Sequence, residues 1–175
     1  MLKLNQPAPD FNLSAYQKGV KDDYKEVSLA EYKGKWVILF FYPRDFTFVC
    51  PTEIKGFAKM YDDFKKLDTE VLAASTDSIY SHKAWFERDL KEVGFPILAD
   101  TSHNLSRDYE VLAEDSGEAE RGTFIIDPEG KLRYVVISDG NVGRSVEETM
   151  RVVKALQTGG LCPVDWIPGD PNLKN

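Results

Sequence analysis

Cys50 is followed at once by Pro51 and preceded by a polar loop that Pro43 opens behind the apolar run Val37 to Tyr42. Pro51 suits the first position of a helix, where a missing N–H goes unnoticed because helix starts leave those groups unpaired. A thiol at such a start lies near backbone N–H groups and the positive end of the helix dipole, and both favour the thiolate, the nucleophilic form. The stretch Phe40 to Glu53 therefore reads as a buried strand delivering a cysteine nucleophile. The alternative for Cys50 is an inert, buried, apolar thiol. Thr47 supplies a hydroxyl that can both donate and accept a hydrogen bond, or one that merely closes the loop. Pro43 turns the chain and can shield a thiolate from water. A thiolate needs a permanent cation nearby. Arg121, ahead of a strand at 123–126, and Arg144, one residue before Ser145, are candidates, although spacing does not single them out. Cys162, in Gly160-Leu161-Cys162-Pro163, is either a tail cysteine without a role or a second sulfur able to reach the first. A disulfide needs Cα atoms within ~7 Å, so pairing of the two would require the first turn of the Cys50 helix to unwind. His82 and His103 are possible bases, with His82 expected at the surface of a helix. Asp77, Asp100 and Asp127 end strands or open turns, where aspartate commonly satisfies backbone groups.

Composition narrows the classes. The 175 residues fit one compact domain, and 42% apolar content suffices for its core. No run approaches the ~20 apolar residues of a membrane-spanning helix, and Met1 to Pro7 lack the apolar block of a signal peptide. The expectation is a cytoplasmic protein. A net charge of −7, without a basic stripe, argues against nucleic-acid binding. Two cysteines and two histidines without CxxC or HxxxH spacing make neither a disulfide scaffold nor a zinc site. No cofactor is implied.

The elements that must position these residues follow from periodicity. Phe11 to Leu13 reads as a short strand, and Ser28 with Glu31 as a capping box for one helical turn. Lys35 to Tyr42 is nearly continuous in apolar side chains, as expected of a strand covered on both faces. From Cys50 to about Leu67, Ile54, Phe57, Ala58, Tyr61 and Phe64 recur at helical spacing. Glu70 to Ser75 is a second strand. Ser81 is expected to cap a helix running to about Val93, and Pro96 to Asp100 is a third strand. Asn104 to Tyr109 holds a turn or two of helix. Thr123 to Ile126 and Lys131 to Ser138 are strands joined by the turn Asp127-Pro128-Glu129-Gly130, and Ser145 caps a last helix. Alternating strands and helices argue an α/β fold with helices on both faces of the sheet, and the hairpin makes that sheet mixed. Residues 1–158 form the expected domain, and 159–175 an arm carrying Cys162.

Pro43-Arg44-Asp45-Phe46-Thr47-Phe48-Val49-Cys50 resembles the P-x-x-x-T-x-x-C signature of peroxiredoxins. The ordered set Phe48-Val49-Cys50-Pro51-Thr52-Glu53, Ser81-His82-Lys83-Ala84-Trp85, Arg121-Gly122-Thr123, Val142-Gly143-Arg144-Ser145 and Leu161-Cys162-Pro163 is similar to the typical two-cysteine subgroup, which includes the peroxidase component of bacterial alkyl hydroperoxide reductase. The resemblance spans nearly the whole chain. It implies a thioredoxin-like fold, Cys50 as the peroxidatic cysteine with Thr47, Pro43 and Arg121 around it, and Glu53 and Arg144 as a pair orienting Arg121. It also implies that Cys162 is the resolving cysteine acting on the partner subunit of a homodimer or a ring of dimers. The implied activity is reduction of hydrogen peroxide and alkyl hydroperoxides, with thioredoxin or a flavoprotein disulfide reductase as electron donor. A rival from another class is an oligomeric holdase-like chaperone or redox-relay scaffold. A thioredoxin-type oxidoreductase would need the CxxC that is absent.

Peroxide-sensitive members of that family carry a Gly-Gly-Leu-Gly loop and a terminal helix with Tyr-Phe. The segment Lys91 to Pro96 has no such loop, and no Tyr-Phe pair follows Trp166. Both features slow unwinding of the cysteine helix, so their absence predicts resistance to overoxidation. Catalytic turnover at micromolar peroxide should leave Cys50 free of sulfinic acid by mass spectrometry. Dose-dependent inactivation with that adduct would refute the expectation.

Overall fold

The computed structural model describes residues 2–174; Met1 and Asn175, the outer limits of the expected domain and arm, lie outside the described residues. The chain divides into two compact units between Arg144 and Ser145. The first contains β1 (Asn12–Tyr16), β2 (Tyr24–Ser28), β3 (Trp36–Phe41), α1 (Cys50–Lys66), β4 (Thr69–Ser75), α2 (Ile79–Asp89), β5 (Ile97–Ala99), α3 (Asn104–Asp108), β6 (Leu112–Ala113), β7 (Glu118–Ala119), β8 (Arg121–Ile126) and β9 (Leu132–Ser138). The second contains α4 (Val146–Thr158) and the tail.

Seven strands form one mixed sheet in the order β2-β1-β5-β4-β3-β8-β9. The β3, β4 and β5 strands run parallel, while β8 and β9 on one side and β1 and β2 on the other are antiparallel additions. The centre falls on β3 because its side chains are apolar on both faces and all of Val37 to Phe41 is buried. Side chains alternate across a strand. Val37, Leu39 and Phe41 join a cluster with Leu72, Ala74, Phe124, Tyr109 and Leu105 of α3. On the opposite face Phe40 stacks on Phe57 of α1, with ring centroids 4.2 Å apart. Tyr16 of β1 meets Phe86 of α2 at 5.8 Å, so α1 and α2 cover that second face and α3 lies on the first. The β8–β9 hairpin turns as expected. Asp127 Oδ1 accepts from the Glu129 and Lys131 N–H groups at 3.1 and 2.8 Å, and Gly130 takes the positive φ of +81°.

Both expected bounds of α2 change. Helix α2 starts earlier, with Ser78 rather than Ser81 as its cap: Ser78 is extended and its Oγ accepts from the Ser81 N–H at 3.2 Å. It also ends sooner, because Leu90 leaves the helical region (φ −133°, ψ 41°) and the buried Val93 and Phe95 reach the core from the turn that follows. The β2 strand gives little sequence signal because it is a sheet edge in which only Val27 is buried. The Ser28–Glu31 box is present, with the Ser28 N–H donating to Glu31 Oε1 at 2.8 Å.

In the second unit, Ser145 Oγ accepts from the Glu148 N–H at 3.1 Å and caps α4, and Gly159 ends the helix at φ +66°. The tail folds back on itself: the Leu173 N–H donates to the Leu161 carbonyl at 2.8 Å, and Trp166 Nε1 to the Asp170 carbonyl at 3.1 Å.

Phe40 is fully buried at the centre of the sheet. Phe40→Ala should destabilise the protein by about 3–5 kcal/mol, the usual cost of deleting a buried aromatic ring, read as a lowered urea midpoint with an unchanged slope.

Candidate active site

The site forms where β3 hands the chain to α1. The Tyr42 N–H still pairs with the Ala74 carbonyl at 3.0 Å, and the loop from half-buried Pro43 then leads to Cys50, which is 1% exposed. Val49 is itself helical (φ −77°, ψ −41°). Its carbonyl accepts the Thr52 N–H at 3.0 Å, the Glu53 N–H at 3.4 Å and the Thr52 hydroxyl at 2.6 Å. Some of the N–H groups expected to face the thiol are thereby occupied within the helix. The side chain that donates to the sulfur is Arg121, whose Nη1 lies 3.4 Å from Cys50 Sγ.

Arg121 opens β8 and is 3% exposed. Its Nη1 also donates to Glu53 Oε2 at 2.6 Å, and its Nε to the Gly140 carbonyl at 2.9 Å. Glu53 stands one turn after Cys50 on α1 and is 2% exposed. Arg144 holds the other side of that carboxylate: its backbone N–H and its Nε donate to Glu53 Oε1, each at 2.8 Å, and its Nη2 to Oε2 at 2.9 Å. The remaining Arg144 nitrogen donates to the Gly122 carbonyl at 2.8 Å, and the guanidinium lies over the Phe40 ring at 5.2 Å. Burial alone would push the Glu53 carboxyl up. The hydrogen bonds and charge of Arg144, joined by the charge of Arg121, outweigh it and hold Glu53 below the usual carboxylate range.

Four expected residues therefore come together: Cys50, Arg121, Glu53 and Arg144. Thr47 is half-buried in the loop, and its hydroxyl donates to the Arg44 carbonyl at 2.9 Å. With its proton committed there, its oxygen is left to act as an acceptor. Cys162 belongs to the second unit, half-buried, where its Sγ lies 3.7 Å from both the Ala155 carbonyl and Asn172 Oδ1. His103 is the left-handed residue before α3 (φ 63°). Asp77 and Asp100 serve backbone and hydroxyl groups as expected, Asp100 accepting from the Leu105 and Ser106 N–H groups. His82 is a correction: it is not a surface residue but wholly buried, its Nδ1 2.9 Å from Asp45 Oδ2. Sequence reasoning missed Asp45 as well. The available signal was slight: an aspartate three residues after Tyr42, at the point where the apolar strand gives way to the loop.

A buried thiol touching a fixed guanidinium, in a loop offering a hydroxyl acceptor, can perform nucleophilic attack with stabilisation of developing negative charge. The chain has clear relatives among known proteins. Residues 4–135 match the AhpC/TSA family. The chain is 51% identical to peroxiredoxin prdx-2 of Caenorhabditis elegans, over 98% of this chain and 88% of that one. It is 49% identical to a thioredoxin peroxidase of Trypanosoma brucei rhodesiense, over 98% and 90%. Among solved structures it resembles the reduced 2-Cys peroxiredoxin of Plasmodium vivax, at a TM-score of 0.91 and 35% identity, covering 98% of this chain and 92% of that one.

Glu53→Gln removes the charge between two buried guanidiniums and should cost about 3–5 kcal/mol at neutral pH, as breaking buried pairs does. A carboxyl whose folded pKa is depressed contributes stability that is present above its unfolded value, about 4.3, and is lost as pH falls through the folded value. The gap between wild type and Glu53→Gln, followed by urea denaturation across pH, should therefore be full near neutrality and narrow in acid below about pH 4.

Proposed function

The chain belongs to the AhpC/TSA family of peroxiredoxins and is a peroxidase, and we propose that it reduces hydrogen peroxide and alkyl hydroperoxides through a sulfenic acid on Cys50. The observation that carries this reading is the contact between Arg121 and the Cys50 sulfur. Arg121, Arg144 and Glu53 sum to one positive charge inside the fold, and an anionic sulfur at Cys50 makes the group neutral. In the first step the sulfur attacks the terminal peroxide oxygen. The S–O bond forms, the O–O bond breaks, and the departing oxygen takes a proton to leave as alcohol or water. Negative charge then spreads along the S–O–O line, where the Arg121 guanidinium is already aimed and needs no reorganisation. The Thr47 oxygen, free to accept, takes a hydrogen bond from the terminal O–H of the peroxide and orients it, and that proton ends on the departing oxygen, leaving Cys50 as sulfenate, which takes up a proton from solvent. Pro43 closes the site against water.

In the second step Cys162 of the partner subunit attacks the sulfenic sulfur. An S–S bond forms and water leaves. The segment 159–175 acts as the arm that delivers it, and the working protein is a homodimer or a ring of dimers. An external dithiol protein, thioredoxin or a flavoprotein disulfide reductase, restores both thiols by exchange. No bound cofactor takes part. The same reading places the protein in the cytoplasm, where thiols are kept reduced. Among the described residues no helix is long and apolar enough to cross a membrane.

Cys50→Ser should abolish peroxide consumption, and retention of activity would refute the proposal. Cys162→Ser should give a single rapid turnover that thioredoxin does not renew. Arg121→Gln should slow the first step by roughly 10²–10³-fold, the usual effect of deleting a preorganised donor. Oxidised wild type should run as a covalent dimer on non-reducing electrophoresis, whereas an intramolecular disulfide would overturn the intersubunit step.

A further inference from the structure

We propose that Tyr42, Asp45 and His82 are positioning residues for peroxide reduction, anchoring the loop Pro43 to Val49 so that Thr47 and Cys50 meet the substrate together. The inference rests on the peroxidase reading above and adds to it three side chains that do not touch the sulfur.

The apolar anchorage of the loop is partial: Phe48 is 92% exposed, and Phe46, 46% exposed, rests one side of its ring on Trp85 of α2 at 5.8 Å with the Arg88 guanidinium 4.8 Å from it. The loop also contains an unfavourable backbone conformation. Phe46 lies at φ +58°, in the left-handed region that bulky side chains rarely adopt and that persists only when the surroundings impose it. Beside those ring contacts, the surroundings include the bonds of its neighbour. Asp45 is 5% exposed. Its backbone N–H donates to Asp77 Oδ2 at 2.9 Å, and that Asp77 oxygen is held in turn by the Ser75 hydroxyl at 2.7 Å. The Tyr42 hydroxyl donates to Asp45 Oδ1 at 2.8 Å, and His82 Nδ1 lies 2.9 Å from Oδ2.

Proton placement supports a fixed anchor. The other imidazole nitrogen, Nε2, lies 3.2 Å from the Leu98 carbonyl, which can only accept, so Nε2 carries a hydrogen, and the Nδ1–Oδ2 contact is a hydrogen bond through a further proton between imidazole and carboxylate. Burial, reinforced by the charge of Asp45, pushes the Tyr42 hydroxyl well above its ordinary pKa and keeps it a donor. Through His82 the loop is tied to α2 and to the β5 backbone, and through Tyr42 to the end of β3. The Thr47 hydroxyl bonds the Arg44 carbonyl, in the peptide unit adjoining Asp45. A shift of Asp45 therefore carries Thr47 with it. A displacement of about 1 Å between reacting groups can cost on the order of 10²-fold in rate.

The test separates the two chemical steps. Asp45→Ala should slow the reaction of Cys50 with peroxide by about 10- to 100-fold, measured by stopped-flow tryptophan fluorescence, while disulfide formation after oxidation is not slowed. Asp45→Asn should recover most of that loss, because its amide oxygen can accept from Tyr42 and its NH2 can donate to His82 Nδ1. Tyr42→Phe removes one bond and keeps the ring. It should give a smaller loss in the same step, and it keeps the test open if Asp45→Ala does not fold. In the reduced protein without peroxide, amide exchange across 44–53 should be faster in Asp45→Ala and Tyr42→Phe than in wild type or Asp45→Asn. Peroxide reaction at the wild-type rate in both Asp45→Ala and Tyr42→Phe overturns the inference alone. So does equal slowing of both steps, which would mark general damage to the fold. A wild type that consumes no peroxide overturns the peroxidase reading and this inference with it.

Discussion

One buried carboxylate between two buried guanidiniums holds the site together. Glu53 takes hydrogen bonds from Arg121 on one side and Arg144 on the other, and all three side chains are at most 4% exposed. Taking such charges out of water is costly, and the arrangement is tolerable only while every member is present and hydrogen-bonded. The pairing ties three segments distant in sequence: the first turn of α1, the start of β8 and the loop that precedes α4. It also fixes the nitrogen that faces Cys50, since the same Arg121 Nη1 serves both Glu53 and the sulfur. The cysteine is thus positioned by α1, and its cation is positioned by the next turn of that helix.

The core elements were legible because their patterns have few alternatives. An unbroken apolar run at 36–41 has to be covered on both faces, and the 3.6-residue rhythm after Cys50 has to be a helix. Asp127-Pro128-Glu129-Gly130 could hardly be anything but a turn. Edge strand β2 was not legible, because a strand with one buried side chain has no alternation to read. Ser81 was the expected cap, and only the backbone shows that the Ser78 hydroxyl accepts while the Ser81 N–H donates.

The candidate site was legible in its cysteine and not in its wiring. A cysteine before a proline announces a helix start. Glu53, read alone, belongs with the solvated charges of an amphipathic helix, and neither Arg121 nor Arg144 differs in local sequence from other arginines. Their selection came from the ordered family motifs, because what distinguishes them is contact across the sheet. His82 failed for a different reason. It shares the buried face of α2 with Trp85 and Phe86, three and four residues on, and the expectation of a surface residue followed from its titratable type and first-turn position instead of from that spacing.

The proposed chemistry makes opposite demands on one segment. Peroxide reduction needs Cys50 held against Arg121, whereas disulfide formation needs a sulfur that is now 1% exposed to meet another. Proteins open locally in units whose cost depends on the contacts they break. The contacts here are unevenly placed. Asp45 and Glu53 are both buried and multiply bonded, and between them lie exposed Phe46 and Phe48, half-buried Thr47 and a helix start where the Thr52 and Glu53 N–H groups and the Thr52 hydroxyl share the Val49 carbonyl. An opening confined to the residues between those two anchors frees the sulfur while leaving the Arg121–Glu53–Arg144 network and the Tyr42–Asp45–His82 cluster intact. It breaks the contact of Cys50 with Arg121 and little else that is buried. The two anchors therefore do more than rigidify the site. They set the limits of the segment that can move, so that it can unwind to expose Cys50 and close again onto a guanidinium that has not shifted.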